Sequence, residues 1–133
     1  MLTKQEVFDK VSTHLFAQGK QALFGSDDDA SCAYRGANGT QCAAGCLIPD
    51  DMYDESMEYN SIDYLVDAAA SGVWKIPADI KAYQDLVLQL QHVHDTESNW
   101  FDTESMRRTL TADEFVDLGI DVNIINTLSF KDR

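Results

Sequence analysis

The residues best suited to do chemistry in this chain are its three cysteines, which all lie in the segment 32–46. Zinc takes four tetrahedral ligands, usually thiolates and imidazoles. Cys42 and Cys46 are four residues apart and share a face if that segment is helical, Cys32 reaches them across a turn, and His94 is a candidate fourth ligand. The spacing is not a recurrent zinc-finger spacing, so we favour thiols that pack as small apolar side chains. We therefore expect no metal and no cofactor.

A catalytic thiol is the second possibility for the same segment. A nucleophilic cysteine needs a base and a positive environment that lowers its pKa. Cys42, with His94 and Asp95 elsewhere in the chain, supplies the residue types, but the surrounding sequence is acidic and opposes a thiolate. We therefore assign no catalytic residue. The odd number of cysteines, with no secretion signal, predicts reduced thiols.

Negative charge is the strongest global feature of the sequence. The net charge is −13 and the pI about 4.3, which argues against direct nucleic-acid binding and against docking on anionic membranes. The chain has no basic residue between Arg35 and Lys75. That interval carries the candidate binding face, formed by Asp50, Asp51, Asp54, Glu55, Glu58, Asp63 and Asp67. These carboxylates do not follow the EF-hand pattern for calcium; a basic partner protein fits them, and simple solvation is the alternative.

Size and composition predict one soluble domain spanning residues 1–133. The apolar fraction of 44% is ordinary for a globular protein, and the sequence has no apolar run of roughly 20 residues that spans a bilayer. The N-terminus leads directly into an amphipathic pattern and shows no signal segment. We therefore expect a cytoplasmic protein, in the host cytoplasm if the source is a virus.

The elements predicted to position these residues are mostly helical, so the expected class is α+β with mostly α structure. Thr3 and Glu6 predict a capping box before the first helix. Asn38 and Gly39 predict a tight turn in a small β-hairpin near residues 31–43. Further helices are expected from Asn60 or Ser61 to Gly72, from Pro77 to about Asp95, and in two short segments near the C-terminus that begin after Thr111 and Asp121.

The central segment resembles a family of small uncharacterised proteins found in bacterial genomes and in tailed phages. The resemblance is carried by the pattern CxYR at residues 32–35, a glycine turn, and the pattern CAxGxLIPDxxY at residues 42–53. Residues 88–95 are similar to a helix of that family. The motif positions singled out are Cys32, Tyr34, Arg35, Cys42, Gly45 and Pro49. The resemblance implies a viral or mobile-element source but no established activity, and the motif itself suggests a compact turn in which Gly45 permits close backbone approach.

Taken together, the sequence predicts a binding protein, not an enzyme. The expected partner is a basic host or partner protein that docks on the acidic face, with inhibition of a host enzyme or defence factor as one form and mimicry of nucleic-acid charge as one means. The alternative is a thiol- or metal-dependent site built on Cys32, Cys42 and Cys46. A third possibility is a small-molecule or nucleotide site beside Arg35.

Overall fold

The computed structural model describes residues 1–24 and 31–131, with the backbone alone for Ser31. In these ranges the chain is mostly helical, as predicted. The helices are α1 Lys4–Gln18, α2 Ile62–Ala70, α3 Ala78–Ala82, α4 Gln84–Asp95, α5 Thr103–Leu110 and α6 Asp113–Asp117. Two antiparallel strands of two residues each, β1 Leu23–Phe24 and β2 Ser31–Cys32, complete the regular structure with several short 3₁₀ turns. The sequence Gly-Ser-Asp-Asp-Asp at residues 25–29 predicts an acidic loop, and it lies outside the described residues.

Helix α1 begins where the sequence predicts. Thr3 accepts a hydrogen bond from the backbone N–H of Glu6, and the Glu6 side chain accepts one from the backbone N–H of Thr3, which completes the capping box. Gly19 ends the helix in the left-handed conformation, at φ 72°. The face with Val7, Val11 and Leu15 is fully buried and packs against α4.

The predicted β-hairpin over residues 31–43 is not found, because the described chain has no strand between residues 33 and 43. Strand β2 pairs backwards in the sequence with β1, in the register Leu23 to Cys32. Asn38 and Gly39 do take positive φ, as expected of a turn. The backbone N–H of Ala33 still donates to Ala22, the next residue in this register. The two N–H groups that follow donate to the carboxylate of Glu58, so they are not available for strand pairing.

The helix predicted from Pro77 to Asp95 is two helices, α3 and α4. Tyr83 interrupts it with a non-helical conformation, φ −119° and ψ 39°, so the apolar stripe continues while the backbone bends. The last helix, expected after Asp121, is a 3₁₀ turn over Asn123–Thr127. Helix α4 contacts α1, α2, α3, α5 and α6, which makes it the element that positions the others.

One buried apolar cluster includes residues from α1 to the final 3₁₀ turn. Phe8 of α1 meets Phe115 of α6 with ring centroids 5.4 Å apart, so the two ends of the chain share this core. No helix in the described ranges combines the length and apolar character needed to cross a membrane.

Candidate functional site

Glu58 is a buried carboxylate at the centre of the sequence motif. Only 5% of the residue is exposed. Its Oε1 accepts the backbone N–H of Tyr34 at 3.0 Å, and its Oε2 accepts the N–H of Arg35 at 3.1 Å and the hydroxyl of Tyr53 at 2.6 Å. A carboxylate with three donors is stabilised in the interior. Glu58 was predicted to belong to the acidic binding face; these contacts place it inside the fold instead.

Arg35 is the cationic side chain on the other side of this motif. Its Nε and Nη2 donate to Oδ1 of Asp50 at 3.2 and 3.0 Å. The guanidinium lies 4.8 Å from the ring centroid of Tyr53. Its remaining hydrogen bonds go to backbone carbonyl oxygens, those of Tyr34, Gly45 and Ile48. Because the guanidinium donors are occupied within the chain, the structure does not support an anionic small-molecule site beside Arg35.

Gly45 lies where two stretches of the motif touch. A Cβ at this position would be 2.4 Å from the carbonyl oxygen of Tyr34, which confirms that the glycine permits a close backbone approach. The hydroxyl of Tyr34 donates to the carbonyl of Asn60 at 2.6 Å. We call the set Tyr34, Arg35, Gly45, Tyr53 and Glu58 the Arg35–Glu58 junction. The junction explains most of the sequence motif by structure alone, and Pro49 lies exposed at its edge.

The three cysteines are free thiols, and Cys32 and Cys42 line one cavity. Cys42 is buried and its sulfur accepts the backbone N–H of Gly45 at 3.3 Å. Cys46 donates to the carbonyl of Ala43 at 3.1 Å. Burial raises the pKa of Cys46 to about 12, and burial together with the neighbouring Asp95 carboxylate raises that of Cys32 to about 12. Thiols with such pKa values carry almost no thiolate at neutral pH, so none is an activated nucleophile.

His94 lies beside Cys32 and Asp95, but both of its ring nitrogens are occupied by hydrogen bonds within the chain. Its side chain is buried; Nε2 lies 3.0 Å from the backbone N–H of Ala22, and Nδ1 lies 2.9 Å from Oδ1 of Asp95. Since the amide can only donate, Nε2 is the acceptor and Nδ1 carries the hydrogen. Neither nitrogen then offers a free lone pair to a metal or to a thiol proton. The imidazole holds β1 against the end of α4.

The alternative metal set of Cys32, Cys42, Cys46 and His94 is not assembled. Across residues 1–24 and 31–131, the group of potential ligands that comes together is Cys32, His94 and Asp95, with ligand atoms within 4.8 Å of one another. Cys42 and Cys46 are outside it. With the histidine nitrogens occupied as described, this group offers a thiol and a carboxylate, which is too few ligands for a structural zinc site.

The remaining carboxylates of the interval 50–67 are exposed. We define the acidic surface as Asp51, Asp54, Glu55, Asp63 and Asp67, all exposed to solvent. Asp50 is exposed too, but it is paired with Arg35. Asp54 and Ser56 lie in one loop, and the Ser56 hydroxyl accepts the indole N–H of Trp74 at 3.1 Å. This contact joins the loop to the segment that follows α2, and α2 carries the last two carboxylates.

Sequence reasoning missed an aromatic pair beside these carboxylates. Tyr64 of α2 is 56% exposed, and its ring lies edge-on to Trp74 at a centroid distance of 6.1 Å. Tyr64 directly follows Asp63 and precedes Asp67 by three residues, so it shares their outward part of the helix. The signal in the sequence was weak, because Trp74 follows α2 by four residues and its packing depends on the turn between them.

Sequence reasoning also missed a cavity of about 630 Å³ between β2, residues 59–62 and the end of α4. Its lining comes from four separate segments, so no local spacing reveals it. Cys32 and Asp95 contribute to the wall, as does Tyr59.

Comparison of the chain with models of protein families, with curated proteins and with solved structures gives no match. The function is therefore argued from the geometry described above.

Proposed function

We propose that this protein acts by binding a basic protein through the acidic surface. The observation that carries the proposal is the division of charge in residues 35–75. Arg35, the cation at one end of this interval, is bonded internally, whereas five carboxylates face solvent. No basic residue lies between positions 36 and 74 to offset their negative potential. Complementary charge of this kind accelerates association with a basic partner and selects against acidic ones.

The exposed Tyr64 and the half-buried Trp74 beside it support the same proposal. Tyrosine and tryptophan are enriched at the energetic centre of protein interfaces, while charged residues form the rim. Tyr64 and Trp74 lie together next to Asp63, and Trp74 is fixed by its bond to Ser56. The carboxylates then supply steering and specificity, and the aromatic side chains supply the apolar contact area. Exposed charges alone contribute little affinity at physiological ionic strength, because dissolved ions screen the interaction between charges more than about 8 Å apart.

We further propose that the protein belongs to a phage or mobile element and inhibits a host enzyme or defence factor in the host cytoplasm. The support is the resemblance of residues 32–35 and 42–53 to small phage and bacterial proteins, together with the net charge of −13. A protein that normally binds nucleic acid presents a basic surface, and a cluster of carboxylates competes for it. Mimicry of nucleic-acid charge is therefore the means that this acidic surface suits best.

The test is affinity capture with a variant that neutralises the acidic surface without removing internal contacts. The substitutions are Asp51→Asn, Glu55→Gln, Asp63→Asn and Asp67→Asn. Asn at position 63 can still accept the hydrogen bond that Gln84 donates to Asp63. The matched control neutralises four exposed carboxylates on other elements, with the substitutions Glu97→Gln, Asp113→Asn, Glu114→Gln and Asp117→Asn. Both variants raise the net charge by the same amount from −13.

We expect a basic protein to be retained by the natural chain and by the control, and to be lost from the acidic-surface variant. Circular dichroism and thermal unfolding of all three proteins exclude a folding defect as the cause. Equal retention of the captured protein by all three would refute the proposal. Retention that falls equally in both variants would show a dependence on net charge and not on this surface, and would also refute it.

A further inference from the structure

The cavity between β2, residues 59–62 and α4 has the dimensions of a small-molecule site. Its volume is about 630 Å³, within the range of roughly 300 to 1,000 Å³ that ligand pockets occupy. Leu88 and Ile62 give it apolar walls, and Tyr34 and Tyr59 add aromatic ones. Polar side chains from residues 60–61 and from the end of α4 also line it, and polar groups of this kind orient a ligand in a pocket. Tyr34 belongs both to this cavity and to the Arg35–Glu58 junction, whereas Arg35, Gly45, Tyr53 and Glu58 do not line the cavity.

Asp95 supplies a fixed negative charge in the cavity wall. Its Oδ1 accepts hydrogen bonds from Nδ1 of His94 at 2.9 Å and from Nε2 of Gln91 at 2.8 Å. Burial acts to raise the pKa of this carboxyl, but the hydrogen bonds from His94, Cys32 and Gln91 outweigh burial and hold the pKa below its ordinary value. The side chain is still 42% exposed. A carboxylate accepts about four hydrogen bonds, so Asp95 retains capacity for a ligand.

The charge of Asp95 is not balanced inside the cavity. Among the described residues that line it, none is lysine or arginine, and His92 is the sole imidazole. The Cys32 thiol beside Asp95 stays neutral because burial and the adjacent carboxylate raise its pKa to about 12. An anionic ligand would therefore meet repulsion, whereas a cationic one would meet a preorganised acceptor.

Tyr59 at the cavity wall has an unusual backbone conformation. Its φ of 66° lies in the left-handed region, which is a genuine outlier for a bulky residue. Its ring is edge-on to Phe24 at 5.3 Å and the residue is 62% exposed. Strained residues of this kind cluster at ligand clamps, and the face of a tyrosine ring attracts a cation. The strain thus holds an aromatic side chain beside a carboxylate-bearing cavity.

We propose that this cavity binds a small organic cation, with an ammonium or guanidinium-type group hydrogen-bonded to Asp95 and an apolar or aromatic body between Tyr59 and Leu88. The ligand chemistry follows from the uncompensated carboxylate and from the aromatic and aliphatic walls around it. This inference does not depend on the acidic surface or on its protein partner. Because the cavity and the acidic surface use different residues, mutations can remove one function and leave the other.

The test uses benzamidine as the cationic probe and benzamide as its neutral analogue of nearly the same shape. Each is titrated into the ¹⁵N-labelled full chain and followed by amide chemical shifts. We expect benzamidine to saturate and to shift Cys32, residues 59–62 and the end of α4, and benzamide to bind at least about tenfold more weakly. Asp95→Asn should weaken benzamidine by about tenfold or more and leave benzamide unchanged, because asparagine keeps an acceptor for His94 but loses the charge.

Two further variants keep the test informative if Asp95→Asn perturbs the fold. Tyr59→Asn removes the aromatic wall with a residue that tolerates the left-handed conformation, and should weaken benzamidine several-fold. Asp113→Asn, on a distant exposed position of α6, should change nothing. Equal affinities for the two probes, an unaffected Asp95→Asn variant, or no binding up to about 10 mM would overturn the inference. Shifts confined to the acidic surface would also overturn it, while loss of protein partner binding would not.

Discussion

Glu55 and Glu58 are three residues apart and have opposite environments. Glu58 is buried and accepts two backbone N–H groups and a tyrosine hydroxyl, whereas Glu55 is exposed at the start of a 3₁₀ turn. Glu58 holds the surrounding backbone together, whereas the charge of Glu55 faces the solvent. The comparison shows that a run of acidic residues cannot be read as one surface, because its members divide between internal structure and outward charge.

The same division separates two larger regions. In the Arg35–Glu58 junction the charged groups satisfy backbone atoms, so each substitution should change stability. On the acidic surface the carboxylates make few contacts, so substitutions should change recognition and leave stability nearly intact. Three pairs of variants test this contrast by free energy of unfolding, in order of decreasing effect.

The largest effect is expected from Gly45→Ala. The added Cβ would lie 2.4 Å from the carbonyl oxygen of Tyr34, and backbone on both sides must move, at a cost of about 3 kcal/mol. Gly39→Ala is the matched control: it has open space around the Cβ and only a left-handed φ of 76°, which costs about 1 kcal/mol. Urea unfolding measures both. Equal losses would show that the junction is not closely packed.

Glu58→Gln should have the next largest effect. The amide removes the charge and turns one acceptor into a donor that faces Tyr34, Arg35 or Tyr53, so a buried N–H or hydroxyl loses its partner. We expect a loss of about 2 kcal/mol in the free energy of unfolding. Glu55→Gln, at the exposed counterpart, should stay within about 0.5 kcal/mol. Similar values for the two variants would contradict the division between inward and outward carboxylates.

Substitutions at Tyr59, which directly follows Glu58, should give the smallest difference in the free energy of unfolding. Tyr59→Asn and Tyr59→Val both lose the ring contact with Phe24, but asparagine tolerates the left-handed conformation and valine does not. The asparagine variant should therefore be more stable than the valine variant by about 1 kcal/mol. If valine is equally stable, the backbone at this position relaxes and the strain assigned to it is absent.

Much of the helical framework was predictable because its signals are local. The capping box of Thr3 and Glu6 and the cap Ser61 depend on residues within one turn of the helix end. The break at Tyr83 was not predictable, since the apolar stripe runs through it unchanged. The hairpin over residues 31–43 was predicted from a real turn at Asn38, but the strands were replaced by bonds to Glu58, a residue distant in sequence.

The candidate sites were predictable only in composition. The acid-only interval was evident from the sequence, but the burial of Glu58 and the pairing of Asp50 with Arg35 required tertiary contacts. The cavity beside Asp95 could not be inferred at all, because its walls come from segments that meet only in the folded chain. Spacing in the sequence reports contacts within one element, and these sites are formed between elements.

The central claim is that the outward carboxylates of the acidic surface, and not the net charge, produce recognition. The most direct measurement is the affinity of the captured partner for the natural chain, the acidic-surface variant and the matched control, each titrated with salt. The account predicts a steep loss of affinity with salt for the natural chain and the control, and weak binding with little salt dependence for the acidic-surface variant. The same salt dependence in all three proteins would contradict it.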